Sequence, residues 1–223
     1  IKHKIDKIYI LSRSKKSNTN KKKHIEVKYI CKNILDLKRI PQVDYVIYSL
    51  RNDNIKTSND YFTQFLKLLK TLNKKPKILF TSSGAIYGKN KNKKKDRESN
   101  VIDFNSINTL SAYKKRYALE KIFVEQKITE LGMKDYHASI ARCYTFIGKN
   151  IIKYKFAISS LINDSLKNKI IKLKTSKNVY RSYMHSNDLV EWLIKILKNS
   201  NKQCPIYNVG SDKVINLREL TKR

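Results

Sequence analysis

Residues 77–88 have the sequence KILFTSSGAIYG, in which a short apolar run passes directly into a turn of small residues. An apolar run bounded by a turn is typical of a strand buried on both faces, as in a parallel sheet. VDYVIYSL at 43–50 has the same nearly continuous apolar character, and HASIAR at 137–142 predicts a further strand. These runs predict the central strands of one sheet.

Two segments between these strands have the periodicity of a helix. The first has one apolar face at positions i, i+3, i+4 and i+7, with Ser58 as the predicted N-cap; the face consists of Phe62, Phe65, Leu66 and Leu69. The second helix is predicted from about residue 112 to 131. Strands that alternate with helices indicate an α/β fold, a doubly wound parallel sheet with helices on its faces.

The two ends of the chain are less regular. KIYIL at 7–11 and IEVKYI at 25–30 predict two strands before the apolar core. Beyond residue 150, FAISSLINDSL and NDLVEWLIKILK predict helices, and KIIKL and IYNVGS predict strands. Asn216 and Glu219 have the spacing of a capping box, which predicts the start of another helix. The chain starts abruptly just before a predicted strand and stops just after a predicted helix begins. We therefore expect it to be an internal fragment of a longer protein.

The charge is strongly positive. Lys and Arg number 49 against 18 Asp and Glu, a formal net charge of +31. Clustered cations favour nucleic-acid binding through counterion release. The lysines are spread along the chain, however, and are dense only in the loop-like tracts 15–23 and 89–95. Asn, Ile and Tyr are also abundant, a joint bias typical of AT-rich coding, so a solvated basic surface is predicted and nucleic acid is not an expected partner.

Cysteine usage and hydropathy exclude several classes of protein. Cys31, Cys143 and Cys204 are far apart and form no CxxC pair, which excludes a disulfide framework and a cysteine-based zinc site. They suit a reducing compartment, so a cytoplasmic location is expected. No apolar run approaches the roughly 18 residues of a membrane span. The four histidines show no ligand spacing, and no metal is expected.

Two stretches carry residues suited to proton transfer. Tyr117, Lys121 and Glu125 are spaced i, i+4, i+8, so they share one helical face. The Lys121 ammonium would favour the Tyr117 phenolate, and such a phenol can exchange a proton with a sugar hydroxyl. Ser83, at the carboxyl end of its strand, would point into the crevice where parallel sheets bind ligands. The alternatives are a solvent-facing lysine helix and an ordinary turn of small residues.

Five motifs in order, TSSGAIYG, YALEKIFVE, ARCYTFIG, VYRSYMHSNDL and IYNVGS, resemble the extended short-chain dehydrogenases, specifically the nucleotide-sugar epimerase/dehydratase family. The resemblance covers nearly the whole chain. It implies an incomplete NAD(P)-binding Rossmann domain over 1–150 and a partial substrate-binding region over 151–223. It also implies NAD or NADP as cofactor, a nucleotide-sugar substrate, and a homodimer for the full-length protein.

The resemblance also implies roles for single residues. Ser83 would hydrogen-bond the reacting sugar oxygen, Tyr117 would be the acid/base, and Lys121 would favour its phenolate and hold the nicotinamide ribose. In a competing register Tyr113 would be the catalytic tyrosine, but position 117 would then carry Tyr where Lys is needed. Further positions implied to contact the cofactor are Arg13, Asn33, Ile34, Ser49 and Leu50. Those implied to contact the substrate, with Ser83, are Thr145 and Arg181.

Departures from the family pattern leave some assignments open. Asn33-Ile34 stands where the family usually has Asp-Ile against the adenine. Arg13 lies where an acid would bind the ribose 2′-hydroxyl of NAD, which leaves NADP open. Thr145 replaces a frequent Asn, and Arg181, implied to grip the diphosphate, could instead pair with Asp188.

The glycine fingerprint of the family is expected ahead of residue 1, because no glycine occurs in the first 80 residues. The implied reaction is epimerisation, dehydration or reduction of an activated sugar, in which Tyr117 takes a hydroxyl proton as hydride leaves for the nicotinamide. The alternative is a catalytically inactive Rossmann scaffold that binds polyanions or nucleic acid through the lysine tracts.

Overall fold

A computed structural model describes most of the 223 residues, namely 5–13, 25–51, 54–89, 96–149, 157–167, 170–171 and 179–222. Backbone contacts divide the chain into two compact units. Unit 1 comprises Ile1–Asp44 with Lys56–Lys75, and unit 2 comprises Tyr45–Ile55 with Pro76–Arg223. The boundary predicted at residue 150 stays a prediction. The lysine tract 15–23, and 90–95 of the second tract, lie outside the described residues.

Unit 1 contains a two-stranded parallel sheet. Strand β1 spans Lys7–Ser12 and strand β2 spans Glu26–Cys31, in a register that pairs Lys7 with Glu26 and Ser12 with Cys31. Both strands were predicted within one residue of these bounds. A short 3-10 turn at Ile34–Asp36 follows β2, and the side chain of Asn33 caps it.

Helix α1 spans Ile55–Leu69 and supplies most of the helical part of unit 1. Its predicted apolar face is present, with Phe62, Phe65 and Leu69 buried. The prediction of Ser58 as N-cap is wrong, because the helix begins at Ile55 and Ser58 is buried inside it. The spacing explains the error: Ser58 lies four residues before Phe62 on the same helical face, so this small side chain continues the buried stripe.

Unit 2 is built on a four-stranded parallel sheet. Its strands lie in the order β3, β4, β5, β9 and consist of Tyr45–Tyr48, Lys77–Ser83, Ala138–Cys143 and Ile206–Val209. Each was predicted as a strand, but β4 continues three residues beyond the predicted KILF run and ends at Ser83. All neighbouring strands of this sheet are parallel, and helices lie between them in the sequence, which confirms the predicted α/β fold.

Helices cover both faces of this sheet. Helix α2 spans Phe104–Asn108, α3 spans Ala112–Gly132, α4 spans Ala157–Leu166 and α5 spans Ser186–Lys198. Leu79 of β4 packs with the buried residues of α5, whereas the neighbouring Phe80 lies under Lys121 of α3. Because successive strand residues point to opposite faces, α3 and α5 lie on opposite sides of the sheet, which is the doubly wound arrangement.

Short elements complete the carboxyl-terminal part of unit 2. Strand β6, Phe146–Ile147, pairs with β8, Met184–His185, and β7, Tyr180–Ser182, pairs with β10, Val214–Asn216. Asn216 caps helix α6, Leu217–Leu220, by accepting a hydrogen bond from the Arg218 amide at 2.8 Å. The predicted KIIKL strand lies mostly outside the described residues. Within the described part of the chain, no helix is long and apolar enough to span a membrane.

The core of unit 2 makes a direct prediction about stability. Leu79 is fully buried at 0% exposure, and Ile47, its partner on the neighbouring strand, is 47% exposed. Leu79→Ala should lower the free energy of unfolding by about 2–5 kcal/mol, since it removes buried methyl groups and leaves a cavity. Ile47→Ala should lower it by less than about 1 kcal/mol. Urea unfolding measures both; equal losses would mean that this part of the sheet is placed wrongly.

Candidate active site

Helix α3 presents three polar side chains on the face that packs against the sheet. Tyr117 is half-buried, Lys121 is only 3% exposed, and Glu125 is also buried. The prediction that they share one face is therefore confirmed. The alternative of a solvent-facing lysine helix is wrong at Lys121. A buried ammonium requires a specific set of partners, because burial without them is costly.

Glu125 anchors α3 to two strands. Its carboxylate accepts from Arg142 on β5, with Nη2 to Oε2 at 2.8 Å and Nε within 3.2 Å of both oxygens. The hydroxyl of Ser82 on β4 donates to the same carboxylate. Ser82 and Arg142 are register partners on the neighbouring strands. The buried ion pair therefore fixes where α3 lies along the carboxyl ends of β4 and β5.

The other side of the Arg142 guanidinium extends this network to β9. Its Nη1 donates to the Tyr87 hydroxyl at 2.7 Å, and that hydroxyl donates to Asn208 Oδ1 at 2.9 Å. Burial raises the pKa of Tyr87, so its phenol remains protonated and keeps this donor role. The backbone N–H of Asn208 donates to Glu98 Oε1 at 2.7 Å. The family-like motifs ARCYTFIG, TSSGAIYG and IYNVGS contain Arg142, Tyr87 and Asn208. The sequence alone suggested no role for any of these three residues.

Lys121 lies between the strand ends and Tyr117. Its Nζ donates to the backbone carbonyl of Leu50 at 3.3 Å and lies 3.7 Å from Glu120 Oε2. The same nitrogen lies 4.9 Å from the centroid of the Phe80 ring and 5.8 Å from that of Tyr117. Burial lowers the pKa of Lys121, and the charge of Arg51 acts in the same direction while Glu120 opposes them.

Ser83 is the last residue of β4 and caps the turn that follows. Its Oγ accepts a hydrogen bond from the amide of Ala85 at 3.2 Å. Gly84 next to it is required by space, because a Cβ there would come within 2.7 Å of the Tyr144 ring. Cys143, the register partner of Ser83, has its pKa raised to about 11 by burial. That thiol stays protonated at neutral pH and is not a nucleophile.

The residues proposed to contact the cofactor fall in different units. Ser49 and Leu50 follow β3 in unit 2, where the Leu50 carbonyl already binds Lys121. Lys121 is also in unit 2, whereas Arg13, Asn33 and Ile34 belong to unit 1. Of these, Ile34 is buried, Arg13 is exposed, and the Asn33 side chain accepts from the amide of Leu35 at 3.2 Å.

A nicotinamide dinucleotide fits the residues of the site in part. An ammonium, a phenol, a hydroxyl and a backbone carbonyl at one strand edge suit its nicotinamide ribose. No glycine precedes Gly84 in the sequence, so the described residues before it offer no glycine-rich loop for the pyrophosphate. Among the described residues, no group of three His, Cys, Asp or Glu side chains could hold a metal ion.

The two residues expected to contact substrate lie in the carboxyl-terminal part of unit 2. The Thr145 carbonyl accepts from the amide of Met184 at 3.1 Å. Arg181 is exposed on β7, and its Nη1 donates to the Tyr180 carbonyl at 2.9 Å. No ion pair between Arg181 and Asp188 is present in the described structure. Burial raises the pKa of Tyr183, and the charge of Arg181 opposes that shift. Tyr183 lines an open pocket of about 410 Å³ together with His185, Asp188 and Trp192, among others.

Comparison with protein families gives a match over nearly the whole chain. The family described as "NAD dependent epimerase/dehydratase family" matches residues 1–210. The chain belongs to this family. The resemblance inferred from the five motifs is thereby confirmed, and with it the expected nicotinamide cofactor, NAD or NADP, at the level of the family. A search of curated proteins gave no match.

Solved structures of similar fold extend over most of this chain. A UDP-N-acetylglucosamine 4-epimerase from Methanobrevibacter ruminantium M1, solved with UDP-N-acetylmuramic acid, has a TM-score of 0.71 and 18% identity, and the match covers 96% of this chain and 72% of that one. A dTDP-glucose 4,6-dehydratase from Bacillus anthracis in complex with NAD has a TM-score of 0.66 and 14% identity, with 91% and 64% covered. RMD from Pseudomonas aeruginosa, complexed with NADPH, has a TM-score of 0.63 and 20% identity, with 80% and 63% covered. At these identities the likeness establishes the fold.

The buried ion pair between Glu125 and Arg142 gives a second prediction about stability. Glu125→Gln should lower the free energy of unfolding by about 3–5 kcal/mol, because it leaves the Arg142 guanidinium buried without its counter-charge. The matched control is Glu130→Gln on the same helix, which removes a half-buried pair with Lys127 at 2.9 Å and should change stability by less than about 1 kcal/mol. Urea unfolding of both variants measures the difference. A loss at Glu125 no larger than that at Glu130 would refute the anchoring role.

Proposed function

We propose that this protein is an NAD(P)-dependent epimerase or dehydratase, or a reductase, that acts on a nucleotide-activated sugar. Family membership supports the general kind of reaction. The observation that carries the assignment to residues is the buried Lys121 ammonium, held by the Leu50 carbonyl and facing the ring of Tyr117. A buried cation next to a phenol at the carboxyl edge of a parallel sheet favours proton transfer to or from a bound hydroxyl.

Tyr117 is the proposed acid/base. Its ring faces the Lys121 ammonium at the edge of the sheet, and its hydroxyl would take the proton of a sugar hydroxyl and return it later. The competing assignment, Tyr113, is weaker on two grounds. Tyr113 is 48% exposed, and four residues after it the helix carries an aromatic ring rather than an ammonium.

Ser83 is proposed to bind the same sugar oxygen. Its Oγ already accepts from the amide of Ala85, so its own proton is available for donation into the crevice. A hydroxyl donor at this position would hold the reacting oxygen and stabilise the charge that develops on it. Ser83 and Tyr117 together would then define where the sugar carbon lies.

The cofactor is proposed to lie along the same edge. Lys121, Ser49 and Leu50 of unit 2 would hold the nicotinamide ribose. The family resemblance assigns contacts with the adenosine end to Arg13, Asn33 and Ile34, which belong to unit 1. When bound, the nicotinamide supplies a hydride acceptor that the side chains of a protein lack. The exposed Arg13 favours a role near a 2′-phosphate, which keeps NADP as well as NAD in the proposal.

The substrate is proposed to extend towards the carboxyl-terminal part of unit 2. Arg181 has the forked guanidinium that suits a diphosphate, and Thr145 follows β5 at the same edge as Ser83. We further propose that the full-length protein works as a cytoplasmic homodimer. Assays with UDP- and dTDP-linked hexoses would identify the particular sugar and its nucleotide.

The test of this function compares two tyrosines on one helix. Tyr117→Phe should reduce turnover by ~10²–10⁴-fold, because it removes the positioned acid/base but keeps the ring. Tyr113→Phe, four residues away, should keep turnover within a few-fold of wild type. Turnover is measured on UDP-glucose, UDP-N-acetylglucosamine and dTDP-glucose with NAD and NADP, with cofactor affinity measured by calorimetry as the control for folding.

Two results would contradict the proposal. Activity retained in Tyr117→Phe but lost in Tyr113→Phe would transfer the acid/base role to Tyr113. Absence of sugar conversion by the wild type, in the presence of measurable cofactor binding, would favour an inactive Rossmann scaffold instead.

A further inference from the structure

Two charged residues without an assigned role lie beside Lys121, and they have opposite signs. Glu120 precedes Lys121 on α3, and Arg51 follows Leu50 in the loop after β3. We propose that Glu120 and Arg51 act as an opposing pair of positioning residues that set the charge of the Lys121 ammonium next to Tyr117. The role in catalysis that follows rests on the proposed function, whereas the effect on Lys121 itself does not.

Glu120 is the buried member of the pair. Its side chain is 1% exposed, and its Oε2 lies 3.7 Å from the Lys121 Nζ. A carboxylate this close favours the charged form of a lysine that burial would otherwise neutralise. Because both side chains are almost completely buried, water screens this attraction far less than it screens an exposed ion pair.

Arg51 is the exposed member. Its guanidinium carbon lies 4.9 Å from the centroid of the Tyr117 ring and 5.4 Å from that of Tyr113. These distances are typical of a cation stacked on an aromatic face. Because Lys121 Nζ lies 5.8 Å from the same Tyr117 centroid, two cations share one phenol ring. The second cation disfavours the charge on the first, although both favour negative charge on the phenol.

The groups that act on Lys121 come from three elements besides its own turn of helix. They are the carbonyl of Leu50 and the guanidinium of Arg51 after β3, the ring of Phe80 on β4, and the thiol of Cys143 on β5. On α3 itself they are Glu120 and Tyr117. Burial lowers the pKa of Lys121 most, Glu120 raises it and Arg51 lowers it. The Cys143 thiol, with a pKa raised to about 11, is neutral near pH 7.

This balance bears directly on proton transfer. A charged Lys121 donates to the Leu50 carbonyl and attracts negative charge that develops next to it during proton transfer, whereas a neutral amine loses the electrostatic part of that effect. Glu120 therefore extends the pH range in which Lys121 is charged, and Arg51 limits it from the alkaline side. Activity should fall at high pH as Lys121 loses its proton, with the midpoint set by these two residues.

The test follows the titration of Lys121 directly. Lysine is labelled with ¹³C at Cε, and the Lys121 signal is assigned by its absence in Lys121→Met. The Phe80 ring, 4.9 Å from Nζ, should displace this signal from those of exposed lysines. Glu120→Gln should lower the titration midpoint by about one pH unit or more, and Arg51→Met should raise it by a smaller amount. Arg51→Lys, which keeps the charge, should restore much of the wild-type value.

The matched control is Glu130→Gln, a carboxylate on the same helix paired with Lys127. It should leave the Lys121 midpoint unchanged. Shifts of the same sign in Glu120→Gln and Arg51→Met, or shifts no larger than in Glu130→Gln, would overturn the proposal. Because Arg51 is exposed, its variants keep the test decisive even where a change at the buried Glu120 prevents folding.

The pH profile of kcat tests the consequence for catalysis. Its alkaline limb should move down in Glu120→Gln and up in Arg51→Met, with the KM for the nucleotide sugar changing less than kcat. Opposite shifts in the spectra without any shift of the limb would show that the charge of Lys121 is not the catalytic determinant. A protein that converts no sugar but shows the opposite shifts would contradict the proposed function and leave the charge balance supported.

Discussion

The buried ion pair between Glu125 and Arg142 is the constraint on which the candidate site depends. Arg142 is the penultimate residue of β5, and its guanidinium binds Glu125 two helical turns beyond Tyr117. Because the helix rises about 1.5 Å per residue, Lys121 lies about 6 Å and Tyr117 about 12 Å from Glu125, towards the amino-terminal end of the helix. Lys121 therefore reaches the strand ends, and Tyr117 lies at the edge where a ligand could bind.

The same pair requires a complete set of hydrogen bonds, because both charges are removed from water. Arg142 also donates to Tyr87, and Ser82 donates to Glu125. A pair satisfied in this way is weak evidence for extra stability compared with an apolar core, but it fixes one register of helix against sheet. Placing Lys121 and Glu125 on one buried helical face thus favours a defined position for the proton-transfer groups.

The sequence predicted the local elements well, because their signals are local. The apolar runs and the 3.6-residue periodicity identified the four strands of the sheet and α3. The i, i+4, i+8 spacing was sufficient to place Tyr117, Lys121 and Glu125 on one face. Ser58 was misplaced because the beginning of α1 is decided by burial of a small residue rather than by its capping preference.

Contacts between distant residues could not be predicted in the same way. Arg142 contacts residues 17 and 55 positions away, and Tyr87 contacts Asn208 at 121 positions. The sequence did not point to Glu120, because a helical pattern selects residues four apart. It did not point to Arg51, because this residue follows the end of a strand as an ordinary loop residue. Only the folded chain brings Arg51 close to the Tyr117 ring that Lys121 also faces, and only its packing buries Glu120 next to Lys121. The roles of Ser83, Thr145 and Arg181 remain proposals.

The most direct measurement of the central claim is a crystal structure of the protein with NAD and a UDP-linked hexose bound. If Tyr117 and Ser83 are the catalytic hydroxyls, both oxygens should lie within about 2.5–3.2 Å of one sugar oxygen. Lys121 should remain within hydrogen-bond distance of the Leu50 carbonyl or the nicotinamide ribose. A complex in which Tyr117 and Ser83 point into different cavities, or in which the sugar binds away from the carboxyl ends of β4 and β5, would contradict the account.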